Sequence, residues 1–233
     1  GQLERVDRIN ASKEETDYKK LDKLIIGVCG GDGIGPIICK ASRDILADLL
    51  ASEIKSGKVE LRDIEGLTIE NRIACGKAIP DDTLAELKAC HVILKGPTTT
   101  PNAGDGMPNI ESANVAMRKA LDLYANVRPV RVPEKGIDWT FFRENTEGSY
   151  AVGSYGVNVT DDLAVDFCVT TTEGSRRIAR RAFEYAKANG KDRVSVVTKA
   201  NIIKTTDGKF LNICRDIAKD YPDITVDEWY IDI

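Results

Sequence analysis

Apolar residues in this chain come either in short unbroken runs or at about every fourth position, and the two patterns alternate. Leu24–Cys29 is a run of the first kind and predicts a buried strand. It leads into Gly30-Gly-Asp-Gly-Ile-Gly-Pro36, where the proline suits the first turn of a helix. Ile37, Ala41, Ile45 and Leu49 then draw one apolar helical stripe. A turn at Gly57 precedes a second strand, Val59–Ile64. Pro80-Asp-Asp82 opens a helix with Leu84, Leu87 and Cys90 inward, and residues 92–94 form a third strand. This β-α-β-α-β order predicts a parallel sheet.

Residues 96–110 turn to Pro, Thr, Gly and Asn, which marks a long loop and a candidate domain boundary. Beyond it the pattern predicts a helix over 112–120 and strands over 123–127 and 139–143. A Gly/Ser/Tyr-rich segment at 148–156 comes before a strand over 164–171. A helix over 173–189 is closed by Gly190 just past its end. A strand at 194–198, a helix with Phe210, Ile213 and Ile217 on one face, and a strand at 224–231 complete the order.

With 233 residues the chain has room for one large domain or two small ones, a domain taking roughly 100–200 residues. Such a length buries a real core without disulfides or metals. The net charge of −4 argues against general nucleic-acid binding, which needs a basic face. No window approaches the roughly 18 apolar residues of a membrane span. The six cysteines form no CxxC pair and mostly have apolar neighbours, so reduced core thiols are expected. His91 is the only histidine, which leaves little material for a Ser-His-Asp triad or a multi-histidine zinc site. It begins an apolar run, and a structural role is expected. Residues 1–23 carry charges of both signs and no apolar core segment, so they read as a polar, solvated or partly helical leader and not a signal peptide.

The glycine turn does not spell the dinucleotide fingerprint, because Pro36 stands where a glycine is needed. No Lys-Ser/Thr follows, so it is not a phosphate-cradling loop either. A tight strand-to-helix turn carrying one aspartate accounts for it equally well. The arginines are more informative. Asn114 and Arg118 share a helix face, and Ser112 sits at that helix's N-terminal end, which favours anions. Arg128 lies on the next strand and Arg143 ends the one after it. If the strands are neighbours, three guanidinium groups could converge and hold a small polycarboxylate, since guanidinium forks match carboxylates bidentately. Taken singly, each arginine reads better as a solvated surface residue or one paired with a nearby acid, and only the combination narrows that reading. Lys199 ends a strand and precedes a helix, at the carboxyl edge where α/β proteins place ligands. Tyr150 is a possible proton donor.

Together these residues resemble the β-decarboxylating dehydrogenases, a family that includes isocitrate, 3-isopropylmalate and homoisocitrate dehydrogenases. The matching segments are Gly31-Asp-Gly-Ile-Gly-Pro36, Lys95-Gly-Pro-Thr-Thr-Thr100, Ser112-Ala-Asn-Val-Ala-Met-Arg118, Leu121-Asp-Leu-Tyr-Ala-Asn-Val-Arg-Pro-Val-Arg131, Phe142-Arg-Glu-Asn-Thr-Glu147 and Thr198-Lys-Ala-Asn201. They stand in family order from about residue 24 onward. The resemblance implies an α/β, isopropylmalate-dehydrogenase-like two-domain fold and not the standard Rossmann fold. It implies substrate arginines at Arg118, Arg128 and Arg143, with Ser112 and Asn114 as further substrate contacts. Tyr150 and Lys199 match the catalytic residues, Thr99 the loop residue near substrate and nicotinamide, and Asp232 a metal ligand. The implied cofactors are NAD or NADP with Mg²⁺ or Mn²⁺. The implied reaction is oxidative decarboxylation in the tricarboxylic acid cycle.

Polar Ser112 and Asn114 favour isocitrate, while Glu111 is shared with the isopropylmalate branch, so isopropylmalate and homoisocitrate stay open. The resemblance also implies a homodimer with shared sites, interlocked through residues 148–166. It implies a cytoplasmic enzyme, or one of the mitochondrial matrix in a eukaryote. A non-catalytic regulatory or tricarboxylate-binding subunit is the alternative of another class. In domain terms, residues 24–100 are expected to form the first half of a large domain and 101–233 a small domain with a returning strand. The rest of the large domain is expected to be missing, as if the chain were truncated at Ile233.

Overall fold

A computed structural model describes residues 2–11, 16–101, 106–108, 110–152 and 155–232. Parts of the loop expected at 96–110 and of the segment at 148–156 fall outside these residues, as does the ending at Ile233. The chain divides into two compact units, residues 14–121 and residues 1–13 with 122–233. The first helix, α1 (Gln2–Ala11), belongs to the second unit.

The 14–121 unit contains β1 (Leu24–Cys29), α2 (Gly35–Leu49), α3 (Ala51–Lys55), β2 (Val59–Ile64), α4 (Ile69–Cys75), α5 (Asp81–Lys88), β3 (Val92–Lys95) and α6 (Ala113–Ala120). The three strands form the parallel sheet that the pattern predicts, in the order β2-β1-β3. Cys29, Ile64, Leu67, Ile79, Leu87 and Met117 make its core, with Leu84 and Cys90 packed against it, so α5 packs through the residues that sequence periodicity marks and α6 joins through Met117. His91 has a structural role, its Nδ1 accepting the backbone N–H of Ile25 at 3.0 Å. Because the strands are parallel, the glycine turn, the turn after β2 and the loop after β3 all leave from one edge of the sheet.

The apolar stripe of α2 behaves differently from the usual inward face. Ile37 is 72% exposed, and Ile45 and Leu49 are exposed as well. The helix turns Gly35 and Cys39 inward instead. The cause is close approach: a Cβ on Gly35 would lie 2.0 Å from the Gly30 carbonyl oxygen, and one on Gly96 would lie 3.1 Å from Cys39 Sγ. Only small side chains fit between this helix and the loops it faces, so the isoleucines take the other side.

The second unit holds β4 (Ala125–Val132), β5 (Ile137–Glu144), β6 (Val157–Thr160), β7 (Leu163–Val165), α7 (Thr172–Ala188), β8 (Arg193–Thr198), α8 (Thr206–Ala218) and β9 (Thr225–Tyr230). Strands β4 and β5 pair antiparallel, β6 and β7 pair antiparallel, and β8 and β9 pair parallel. Phe183, Val196, Leu211, Cys214, Ile217 and Ile224 form the core between α7, α8 and the β8–β9 pair. α7 also meets β5, where Tyr185 packs on Phe142 and its hydroxyl lies 3.2 Å from Thr140 Oγ1.

The strand expected over 164–171 is reduced to β7 and a single bridge between Gly148 and Val169. Its residues are largely exposed, so no buried face extends the pairing. All six cysteines are free thiols; Cys29, Cys39 and Cys214 are buried as expected, and burial pushes Cys29 up to about 11 and Cys214 up to about 12, whereas Cys75 and Cys168 are exposed and not core residues. Among the described residues, no helix is long and apolar enough to cross a membrane.

Candidate active site

In the first unit the functional candidates sit on the loop after β3 and at the start of α6. Thr99 is exposed on that loop. Ser112 occupies the N-cap position of α6, is half-buried, and makes no side-chain capping bond. Asn114 and Arg118 are half-buried one turn apart on the helix.

The glycine turn does not offer a cradle for a dinucleotide phosphate. A Cβ on Gly31 would meet the Pro97 carbonyl oxygen at 2.1 Å, so the chain's own loop already fills that space. Asp32 turns both carboxylate oxygens onto backbone N–H groups, Oδ1 accepting from Ile69 at 2.8 Å and Oδ2 from Thr99 at 2.6 Å. An open cleft of about 650 Å³ beside the turn is lined by Gly31, Arg43, Asp63 and Thr68 among others, and none of Thr99, Ser112, Asn114 or Arg118 lines it.

In the second unit, the ladder places Asn126 opposite Arg143 and Arg128 opposite Phe141. Side chains alternate along a strand, so Arg128 and Arg143 lie on one face, which is exposed and opposite the face packed on α7. Arg128 Nε donates to Asn126 Oδ1 at 2.9 Å, which fixes its orientation. The Arg143 guanidinium lies 4.9 Å from the centre of the Tyr150 ring. Tyr150 itself is 64% exposed. Thus two of the three expected guanidinium groups and the tyrosine share one surface; Arg118 belongs to the other unit.

The turn that carries Tyr150 is held from behind by charge. Glu144 accepts from the backbone N–H groups of Thr146 at 2.7 Å and Glu147 at 2.6 Å. Glu147 accepts the Thr171 N–H at 3.0 Å, next to the N-terminus of α7. Arg5 on α1 donates to Thr146 Oγ1 at 2.6 Å and pairs with Glu147, both partners being buried. A leader expected to be solvated is therefore tied to the back of this turn. Its charges of both signs hid one buried arginine.

The remaining pair lies at the end of the β8–β9 ladder. Lys199 directly follows β8, with its N–H donating to Asp207 Oδ2 at 2.7 Å. Ile231 N–H donates to Thr198 O at 3.0 Å, which continues the ladder and brings Asp232 alongside. The Lys199 ammonium then donates to Asp232 Oδ2. That hydrogen bond holds the Asp232 carboxyl below its ordinary value. Among the described residues, no three His, Cys, Asp or Glu side chains gather as a metal cage. What Asp232 supplies is one exposed hard oxygen donor, the kind Mg²⁺ accepts while keeping waters and substrate oxygens in its other positions.

The chain thus combines a parallel α/β unit with a second unit that presents Arg128, Arg143, Tyr150 and the Lys199–Asp232 pair. The profile of the isocitrate/isopropylmalate dehydrogenase family matches residues 25–233, and the chain belongs to that family. It is 36% identical to a regulatory subunit of mitochondrial NAD isocitrate dehydrogenase from Dictyostelium discoideum, over 100% of this chain and 62% of that one. It is 35% identical to homoisocitrate dehydrogenase from Methanocaldococcus jannaschii, over 88% of this chain and 60% of that one. Other relatives are isocitrate dehydrogenases of both the NAD and the NADP kind. The crystal structure of isocitrate dehydrogenase from Methylococcus capsulatus superposes with a TM-score of 0.73 at 37% identity, covering 90% of this chain and 61% of that one. The chain thus spans about three fifths of the length of these relatives.

Proposed function

We propose that the protein oxidises the hydroxyl carbon of isocitrate and then releases carbon dioxide, giving 2-oxoglutarate, with NAD⁺ or NADP⁺ as the hydride acceptor. The observation that carries this reading is the shared exposed face of β4 and β5, which bears Arg128 and Arg143, the latter lying over the Tyr150 ring. Isocitrate is preferred over isopropylmalate because Ser112 and Asn114 are polar and the Ser112 hydroxyl is not used as a cap.

In this reading each guanidinium holds a substrate carboxylate through two parallel N–H donors. Arg128 and Arg143 act so on the second unit, and Arg118 with Ser112 and Asn114 on the first. Lys199, with the Asp232 carboxylate beside its nitrogen, helps remove the proton of the substrate hydroxyl. Tyr150 returns a proton to the carbon left by carbon dioxide, and the Arg143 guanidinium over its ring stabilises the phenolate that remains. Asp232 would supply one ligand to Mg²⁺ or Mn²⁺, which would provide Lewis acidity toward the substrate hydroxyl, and Thr99 would border a dinucleotide that would provide the hydride acceptor.

The working form in this reading is a homodimer, supported by the exposed apolar side chains along β6 and β7. The likeness to a relative named as a regulatory subunit favours one other reading, a tricarboxylate-binding subunit without turnover. The full-length protein assayed with isocitrate, Mg²⁺ and either dinucleotide separates the two. Reduced nicotinamide absorbance is expected, and isocitrate binding without turnover of any family substrate would favour the regulatory reading. In the active protein, Lys199→Met should lower kcat by about 10²–10⁴-fold while leaving the isocitrate Kd nearly unchanged. A Lys199→Met protein of normal rate would remove the assigned role.

A further inference from the structure

Among the described residues, Arg72 is the largest fully buried side chain, at 0% exposure. Burial lowers its pKa, and the nearby Asp32 charge opposes that shift. Among the described residues no carboxylate lies within salt-bridge distance of it. Its fork instead serves three backbone carbonyls: Nε donates to Ala78 at 2.9 Å, one terminal nitrogen to Thr99 at 2.7 Å and the other to Glu111 at 3.0 Å. A buried guanidinium that satisfies carbonyls from three separate segments fixes those segments relative to one another.

Thr99 is gripped at both of its backbone groups, since its N–H donates to Asp32 Oδ2 and its carbonyl accepts from Arg72. A carboxylate on one side and a guanidinium on the other leave this peptide little freedom. The second carbonyl held by Arg72 belongs to Glu111, whose neighbour Ser112 starts α6. Asp32 adds a further tie by accepting the N–H of Ile69, the first residue of α4, the helix that carries Arg72. Asp32 also donates its own N–H to the Pro97 carbonyl at 2.8 Å, on the same loop as Thr99. The brace runs from the glycine turn through α4 to the two segments bearing Thr99 and Ser112.

We infer that Asp32 and Arg72 are positioning residues, which act through the backbone to hold Thr99 and Ser112 where substrate and nicotinamide meet them. This rests on the reading of Thr99 and Ser112 as ligand contacts. The glycine turn then supplies an aspartate that braces the neighbouring loop, and does not bind a phosphate.

The test uses the full-length enzyme with Asp32→Asn and Arg72→Lys, each close to its parent in size. Asparagine keeps one acceptor oxygen and turns an amide donor toward the other N–H, and lysine can serve only one of the three carbonyls. Kinetics are read at a temperature where circular dichroism shows the folded form. Each variant should lose at least about tenfold in kcat/KM for isocitrate, with KM raised for both isocitrate and the dinucleotide. Thr99→Ala should cost much less in the Asp32→Asn background than in the parent, because both act through one loop. Folded variants within twofold of the parent in kcat and KM would overturn the inference, as would full additivity with Thr99→Ala. Failure of both variants to fold would also overturn it, by making the brace a requirement of folding alone. A parent enzyme silent toward every hydroxy-acid substrate would instead overturn the functional reading, and this inference with it.

Discussion

Gly31 and Gly33 share one turn and the same left-handed backbone, at φ +68° and +58°, but they have different room around them. A Cβ on Gly33 meets nothing within 4 Å, whereas one on Gly31 would meet the Pro97 carbonyl oxygen at 2.1 Å. Gly33→Ala should therefore cost only the left-handed penalty, about 1–2 kcal/mol. Gly31→Ala carries the same penalty and must also push the Pro97 loop away, breaking the Asp32–Pro97 hydrogen bond, so it should cost at least about 1–2 kcal/mol more. Urea unfolding of the two variants measures the gap, and equal midpoints would show that the loop yields freely. Asp32 itself is visible in the sequence only as the single charge of a glycine turn. Arg72 leaves a fainter mark: it sits beside Ile69 and Ile73 on the apolar side of a short helix, where a charge has to find buried partners. Nothing in the sequence names those partners, because they are backbone carbonyls, two of them far along the chain.

Elements are easier to read than contacts, and the exceptions have physical causes. The β-α-β-α-β order is legible because buried parallel strands need unbroken apolar runs. The outward stripe of α2 misleads because periodicity shows that a helix has a face, not which neighbour comes closest. Strand β6 escapes a reading by pattern since all its residues are exposed and no buried alternation marks it. The elements α8 and β9 are joined by the Arg215 fork to both oxygens of Glu228 at 2.6 Å. That fork holds the Glu228 carboxyl below its ordinary value. With the folded pKa depressed, the stabilisation is complete above the unfolded value of about 4.3 and is lost as pH falls through the folded one. Both side chains are partly exposed, so Glu228→Gln should cost only about 0.5–1 kcal/mol at neutral pH. The difference in urea midpoint between parent and variant should shrink toward zero below about pH 4, and a gap that persists in acid would refute the assignment.

At the scale of the whole molecule, β6 and β7 are exposed along every residue, with Val157, Val159, Leu163 and Val165 among them. A lone two-stranded ribbon is marginal in water, and here its register also shifts between Asn158 and Thr160. Exposed apolar side chains gathered on one small element mark a surface that another surface covers. A second copy suits a ribbon of this kind, because a twofold axis can set equivalent ribbons against each other and bury both. Val159, 55% exposed, and Leu163 are therefore the positions at which to weaken the proposed homodimer. Val159→Asp with Leu163→Asp should leave each chain folded, since neither side chain belongs to either core. Sedimentation of the full-length double variant should show a single-chain mass at a concentration where the parent is a dimer. If the paired chains share their sites, turnover should fall in step with the dimer fraction and recover as protein concentration rises. A double variant that remains dimeric would exclude the ribbon as the contact, and a monomer with full activity would separate the oligomer from the chemistry.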